Sequence, residues 1–219
     1  MGQTTWNSRG YKKFDEARAR EYGVIANEVF APIYPVIAER IKARCGAEDG
    51  LCVDVGTGPA NLAIALAKLT RLRLCAMDFS RHIYGIAKGN IEREGLSERV
   101  MPAVGDVHRM PLRDGVASLI VSRGSLRFWR NKPLAFTEMK RVLMSGGKGF
   151  VGGGMGSAEL GEAISREMIK RGAHWQNKPV RRTEKKDRTY WKGILDKVGF
   201  SYYEITQDDS GFWIYFEKE

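Results

Sequence analysis

The sequence predicts an α/β fold, in which a doubly wound and mainly parallel sheet carries helices on both faces. Strand-like segments alternate with helical patterns over residues 51–151, and a glycine-rich turn directly follows the first of these strands. Residues 116–122 are apolar throughout apart from two serines, as in a strand that is buried on both faces. Right-handed crossovers in such a sheet place ligands at the carboxyl ends of the strands. A length of 219 residues predicts one domain over residues 1–219.

The individual elements follow from hydrophobic periodicity. Residues 15–44 predict a helix with a kink at Pro32 and Pro35. The predicted strands of the alternating region are 51–55, 72–77, 100–104, 116–122 and 148–151. The predicted helices between and after them are 60–69, 80–94, 134–143 and 158–171, and residues 145–147 predict a turn. Two runs of period two, 201–206 and 211–217, predict a terminal hairpin.

Composition excludes several classes of protein. With 43% hydrophobic and 28% charged residues the chain is typical of a globular protein and unlike a disordered one. The three cysteines (Cys45, Cys52 and Cys75) form no CxxC pair, which argues against a disulfide framework and against a metal site. No apolar run approaches the ~20 residues of a membrane span, and the N-terminus lacks the apolar core of a secretory signal. We therefore expect a cytoplasmic protein without membrane contacts, as a monomer or homodimer.

Positive charge is concentrated late in the chain. The formal net charge is +10, and residues 166–192 contain ten Lys or Arg against three acidic residues, a local net charge of +7. The run Arg181–Arg188, followed by Tyr190 and Trp191, combines phosphate-binding and base-stacking residue types. A solvated loop would have the same composition, so nucleic acid remains a second possible partner.

The glycine loop carries the first functional signal. In the segment Asp54 to Ala60, Gly56 and Gly58 allow a tight turn and close approach of a ligand to the backbone, and the following helix offers its N-terminus. A GxG pattern alone also fits a simple turn into a helix. Asp54 lies inside the strand, where a carboxylate suits a cationic or zwitterionic ligand better than an anionic pyrophosphate.

Two further carboxylates strengthen this interpretation. Asp78 ends the next strand twenty residues after Gly58, where an acidic side chain can accept hydrogen bonds from both ribose hydroxyls. Asp106 follows the third strand. The three carboxylates together are far more specific than any one of them.

At these residues the sequence resembles the class I S-adenosylmethionine-dependent methyltransferases, over roughly residues 51–151. The resemblance implies S-adenosylmethionine (SAM) as cofactor and a sheet in the order 3-2-1-4-5-7-6 with strand 7 antiparallel. It also implies that Asp106 faces the adenine amino group. The cofactor-binding residues that it implies are Asp54, Gly56, Thr57, Gly58, Asp78, Phe79, Ser80, Gly105, Asp106, Val107 and Ser122. One departure is Ala60 in place of the usual third glycine, for which we expect a modest effect.

The acceptor side is less defined. The family layout points Arg123, after the fourth strand, toward the methyl group, where it could bind a carboxylate or phosphate; a surface arginine is the alternative. His108 is a candidate base or a residue of the adenine loop, with a solvent-facing histidine as the alternative. We expect residues 1–35 to form a cap over the site, and residues 157–192 to form a basic insertion on the substrate side.

The sequence is therefore compatible with three functions. The first is methyl transfer from SAM to a small, anionic or aromatic molecule. The second is an RNA (tRNA or rRNA) methyltransferase that uses the basic 166–192 segment, although residues 122–125 lack the Asn/Asp-Pro-Pro-Tyr/Phe motif of many amino-directed nucleic-acid methyltransferases. The third is a cofactor-binding protein without catalysis.

Overall fold

A seven-stranded sheet forms the centre of the protein in the computed structural model, which describes residues 15–172 and 188–219. Its order is β3-β2-β1-β4-β5-β7-β6; β7 pairs antiparallel with both β5 and β6, and the other neighbours are parallel. This confirms the order that the family resemblance implied. The strands are β1 (Leu51–Val55), β2 (Arg73–Asp78), β3 (Val100–Val104), β4 (Ala117–Arg123), β5 (Leu143–Gly153), β6 (Tyr202–Asp208) and β7 (Gly211–Glu217).

Seven α-helices surround the sheet in the described ranges. They are α1 (Glu16–Glu28), α2 (Ile33–Cys45), α3 (Asn61–Leu69), α4 (Arg81–Arg93), α5 (Lys132–Val142), α6 (Ala158–Lys170) and α7 (Arg188–Val198), with a 3-10 turn at Leu126–Phe128. None of them is long and apolar enough to cross a membrane. Helix α7 was not predicted from the sequence.

The predicted kink near the N-terminus is a complete break between two helices. Residues 29–32 separate α1 from α2, and Pro32 occupies the N-cap position of α2. Pro35 lies in the first turn of α2, where backbone N–H groups have no intrahelical partner and a proline therefore loses no hydrogen bond.

Alternation along the strands divides the core into two layers. Cys52, Leu119 and Phe150 face a cluster that includes α2, α3, α4 and α6, whereas Val53 and Ile120 face a second cluster that includes α5 and α7. Asp54 and Asp78 continue the first alternation, so both carboxylates point to the α2–α3 face at the carboxyl ends of β1 and β2.

The predicted turn at residues 145–147 is a bulge inside β5. Leu143 pairs with Ala117, but the next paired residue, Lys148, faces Leu119, so β5 contains more residues than β4 over this stretch. The strand therefore starts immediately after α5.

The glycine loop between β1 and α3 ends in a residue under strain. Ala60 has φ +69° and is the one non-glycine residue with positive φ in the described ranges. For L-amino acids this left-handed conformation costs about 1–2 kcal/mol.

We expect Ala60→Gly to leave the free energy of unfolding within about 0.5 kcal/mol of the wild type. Relief of the strain offsets the entropy that glycine gains in the unfolded chain, about 0.4–1 kcal/mol, and the loss of one buried methyl group, about 0.8 kcal/mol. The matched control is Ala63→Gly, which is equally buried but lies within α3. It should cost about 2 kcal/mol, because glycine loses helix propensity as well as the methyl group. Equal losses in urea unfolding would contradict the strain at Ala60.

Candidate active site at the carboxyl edge of the sheet

The glycine loop is tied to the end of β2 through its backbone. The N–H groups of Gly56 and Thr57 both donate to the Met77 carbonyl oxygen, at 2.8 and 3.0 Å. The Gly58 N–H donates to Asp78 Oδ2 at 3.0 Å. The loop and the ribose-binding candidate therefore form one hydrogen-bonded unit.

Two neighbouring side chains approach this loop at positions that only glycine permits. A Cβ atom on Gly56 would lie 2.3 Å from Ser125 Cβ, and a Cβ atom on Gly58 would lie 3.0 Å from the ring of Tyr22. Both glycines also have positive φ, +69° and +57°. The loop is thus shaped by the segment after β4 on one side and by α1 on the other.

Asp54 is a buried carboxylate beneath this loop. Its residue is 1% exposed, and Oδ2 accepts a hydrogen bond from the Thr57 hydroxyl at 2.6 Å. Burial raises the pKa of Asp54 to about 7, with the nearby Asp78 carboxylate acting in the same direction. A positively charged ligand at this edge would favour the ionised form.

Asp78 is held by backbone donors on both oxygens. Besides the Gly58 contact, Oδ1 accepts from the Ser80 N–H at 2.9 Å. Burial raises the pKa of Asp78, and these backbone hydrogen bonds oppose the shift. Next to it, the Ser80 hydroxyl is buried without a hydrogen-bond partner in the described residues, and Phe79 exposes 53% of its surface.

The loop after β3 joins the same edge. The Gly105 N–H donates to the Asp78 carbonyl oxygen at 2.9 Å, and a Cβ atom on Gly105 would lie 2.5 Å from Met77 Sδ. Asp106 follows with a side chain that is 46% exposed. Val107, which the resemblance implies as a cofactor-binding residue, is 6% exposed and packs in the core cluster that includes α5 and α7.

His108 is engaged through both ring nitrogens. Nδ1 lies 2.6 Å from Asp106 Oδ1, and Nε2 accepts from the Asn131 N–H at 3.1 Å. This arrangement leaves no ring nitrogen with which His108 could take a proton from an acceptor. The geometry therefore favours a role in the adenine loop over the predicted alternative of a base.

The end of β4 supplies Ser122 and Arg123 to opposite faces. Ser122 is buried and its hydroxyl lies 2.6 Å from the Ser125 hydroxyl. Arg123 Nε and Nη2 both donate to the Gly154 carbonyl oxygen, at 3.1 and 3.0 Å. Its guanidinium carbon lies 5.3 Å from the ring centroid of Phe30 and 5.9 Å from that of Tyr34.

Helices α1 and α2 lie over this edge through Tyr22 and Tyr34. Burial raises the pKa of both phenols, and the positive charge of Arg123 opposes this rise in each of them. An amide network fixes α1 there: Asn90 Nδ2 donates to the Pro59 carbonyl oxygen at 2.9 Å and to Asn27 Oδ1 at 3.1 Å. Of the proposed cap and insertion, residues 1–14 and 173–187 lie outside the described residues, and with them most of the basic run.

The contacts of Ser125 at this edge were not predicted from the sequence. Its hydroxyl donates to the Val55 carbonyl oxygen at 3.0 Å and accepts from Trp129 Nε1 at 3.0 Å. Its position after β4, beside the crevice between β1 and β4, was the available signal. No three His, Cys, Asp or Glu side chains lie close enough to hold a metal ion in the parts of the chain that the structure describes.

Comparisons with known proteins agree with this geometry. The family model described as a methyltransferase domain matches residues 53–151. Two curated relatives are 31% identical: malonyl-[acyl-carrier protein] O-methyltransferase of Geobacter sulfurreducens over 129 residues, and ajmaline N-methyltransferase of Rauvolfia serpentina over 94 residues. The alignments cover 57% and 43% of this chain but 47% and 32% of those proteins, so the chain spans less than half the length of the curated relatives it matches.

A solved structure extends the similarity to the whole chain. The protein from Methanococcus maripaludis, assigned as an S-adenosyl-L-methionine-dependent methyltransferase, is 42% identical, with a TM-score of 0.88. The match covers 100% of this chain and 97% of that one. With the strand order and the methyltransferase-domain match, this shows that the chain belongs to the class I S-adenosylmethionine-dependent methyltransferases.

Proposed function

We propose that the protein transfers a methyl group from SAM to a small acceptor that carries an anionic group. The environment of Arg123 at the carboxyl edge is the observation that supports an anionic acceptor. Its guanidinium is held by a backbone carbonyl and by aromatic rings, and among the described residues it forms no ion pair with a carboxylate. A half-buried cation in this position suits an external anion.

The residues present fit the cofactor. The carboxylates of Asp54 and Asp78 lie together at the glycine loop, and the Ser80 hydroxyl, which has no partner in the described residues, lies beside Asp78. Under this proposal Asp78 binds the ribose hydroxyls, while the carboxylate of Asp54 stabilises the positive charge of the cofactor. When bound, SAM supplies a methyl group on a sulfonium, which needs no further activation by the protein.

The protein's own contribution is then mainly positioning. Tyr22, Phe30 and Tyr34 surround Arg123 and the glycine loop with aromatic surface, which excludes water and limits the orientations of a bound acceptor. The name of the Geobacter relative supports an anionic acceptor, since a malonyl group carries a carboxylate. The RNA alternative depends on the basic 166–192 segment, of which residues 173–187 lie outside the described residues.

We expect Asp78→Ala to weaken binding of S-adenosylhomocysteine (SAH) by more than tenfold in calorimetry. Two ribose hydroxyls would lose a charged acceptor, and such hydrogen bonds contribute about 1.5–3 kcal/mol each. Asp49→Ala is the matched control, because this exposed aspartate lies before β1 at the opposite edge and its carboxylate pairs with surface Arg71. Unchanged affinity in Asp78→Ala at equal thermal stability would show that the ribose assignment is wrong.

Because the pKa of Asp54 is raised to about 7, we expect a proton to be released when SAM binds. A cationic ligand favours the ionised carboxylate and lowers its pKa from about 7, so the complex holds fewer protons and SAM affinity rises from pH 6 to pH 8. At pH 7 up to about half a proton should leave, as measured by calorimetry in two buffers of different ionisation enthalpy. Asp54→Asn should remove this release. Equal proton counts for the two proteins would contradict the assignment.

Arg123→Met should raise the KM for the acceptor at least tenfold and leave the SAH dissociation constant unchanged, since a hydrogen-bonded charge contributes about 1.5–3 kcal/mol. The acceptor is first found by screening small carboxylates and phosphates with radiolabelled SAM. Methylthioadenosine, which lacks the amino-acid part of SAH, is the control ligand. If Arg123→Met weakens the binding of SAH but not the binding of methylthioadenosine, Arg123 holds the cofactor carboxylate. The assignment of Arg123 to an anionic acceptor is then wrong.

A further inference from the structure

The loop after β3 is braced against α5 without help from His108. Glu138 Oε1 accepts from the Met110 N–H at 2.7 Å and from Arg141 Nη2 at 2.6 Å. Arg141 Nη1 also donates to the Leu112 carbonyl oxygen at 2.9 Å. The Arg141 guanidinium holds the pKa of Glu138 below its ordinary value, so this ion pair persists at neutral pH. The backbone of residues 110–112 therefore keeps its place whatever side chain stands at position 108.

His108 forms a second and more directional link between the same loop and α5. The Asn131 backbone N–H can only donate, so Nε2 must accept, at 3.1 Å. The proton of the neutral imidazole is then assigned to Nδ1, which donates to Asp106 Oδ1 at 2.6 Å. Asn131 is itself fixed as the N-cap of α5, where its side chain accepts from the Leu134 N–H at 3.1 Å.

These contacts hold one oxygen of Asp106 and leave the other available. Oδ1 accepts both the His108 backbone N–H, at 2.9 Å, and the imidazole N–H. No described residue donates to Oδ2, and the Asp106 side chain is 46% exposed while that of His108 is 16% exposed. The carboxylate is thus held through Oδ1 by a nearly buried ring, and Oδ2 has no donor among the described residues.

We propose that His108 is a positioning residue that orients Asp106 toward the amino group of the cofactor's adenine, and thereby sets the preference for an adenine base. This inference rests on the proposed function and on the family resemblance, which implies that Asp106 faces the adenine amino group. A carboxylate held in one rotamer discriminates for a donor at one place, whereas a freely rotating carboxylate loses part of that discrimination.

The test compares two ligands that differ in one group. One is SAH, and the other is its deamino analogue, in which hydrogen replaces the purine 6-amino group. Wild-type protein should bind SAH at least tenfold more tightly. His108→Ala should lose about tenfold in SAH affinity and little in analogue affinity, so that the ratio falls below about threefold. Both dissociation constants are measured by calorimetry, with thermal unfolding of each variant as the check on the fold.

Two conservative variants separate the two ring nitrogens. His108→Asn places an amide donor near the position of Nδ1 and should restore most of the discrimination. His108→Gln reaches the position of Nε2, where it can accept from Asn131 but does not donate to Asp106, and should behave like His108→Ala. If the role of His108 were merely structural, His108→Ala would lower the affinities for both ligands by the same factor.

The possible outcomes separate the positioning role of His108 from the assignment of Asp106 to the adenine. If wild-type protein binds SAH and the analogue equally, the assignment of Asp106 to the adenine is wrong and the positioning role falls with it. If the wild type discriminates and His108→Ala discriminates equally well, Asp106 reads the base unaided and only the role of His108 is overturned. Restoration in His108→Gln but not in His108→Asn would likewise overturn it.

Discussion

The close approach of Ser125 to the glycine loop is the contact on which the carboxyl edge of this sheet depends. The Ser125 hydroxyl binds the Val55 carbonyl oxygen at the end of β1, the Ser122 hydroxyl on β4 and the indole of Trp129. This approach is possible because Gly56 has no side chain: its Cβ atom would overlap Ser125 Cβ at 2.3 Å. A single hydroxyl thus joins the two central strands where their connections leave in opposite directions, the point at which doubly wound sheets bind ligands.

Three charged side chains lie on the α2–α3 face at this edge of the sheet. Asp54, Asp78 and Arg123 all point to this face at the ends of β1, β2 and β4. Helices α1 and α2 cover it, and the resulting loss of water raises the pKa values of both carboxylic acids. Two carboxylates in such a place repel each other, and a cationic ligand between them relieves that cost.

The predictable part of this molecule is the part that strand alternation and turn chemistry determine. Strand β3 and strand β7 begin and end where the pattern indicated, and the family resemblance supplied the strand order. The contacts of Ser125 and His108 depend on how loops from distant parts of the chain approach each other, which no local pattern encodes. Ala60 shows the same limit: its departure from glycine was visible, but its left-handed backbone was not. The break before α2 also exceeded the predicted kink, because residues 29–32 leave the helix altogether.

The two sides of the site are built from different kinds of contact. On the side where we propose the adenine binds, Glu138, Arg141 and His108 fix the loop after β3 to the start and body of α5 through directional hydrogen bonds. On the side where we propose the acceptor binds, the Arg123 guanidinium lies near the rings of Phe30 and Tyr34, whose aromatic surfaces impose little directional constraint. Substitutions in α1 and α2 can therefore reshape the acceptor side while the hydrogen bonds of the cofactor side persist. Under the proposed function, this division lets one cofactor site serve acceptors of different shape, and it explains why the cofactor is easier to infer from the sequence than the acceptor.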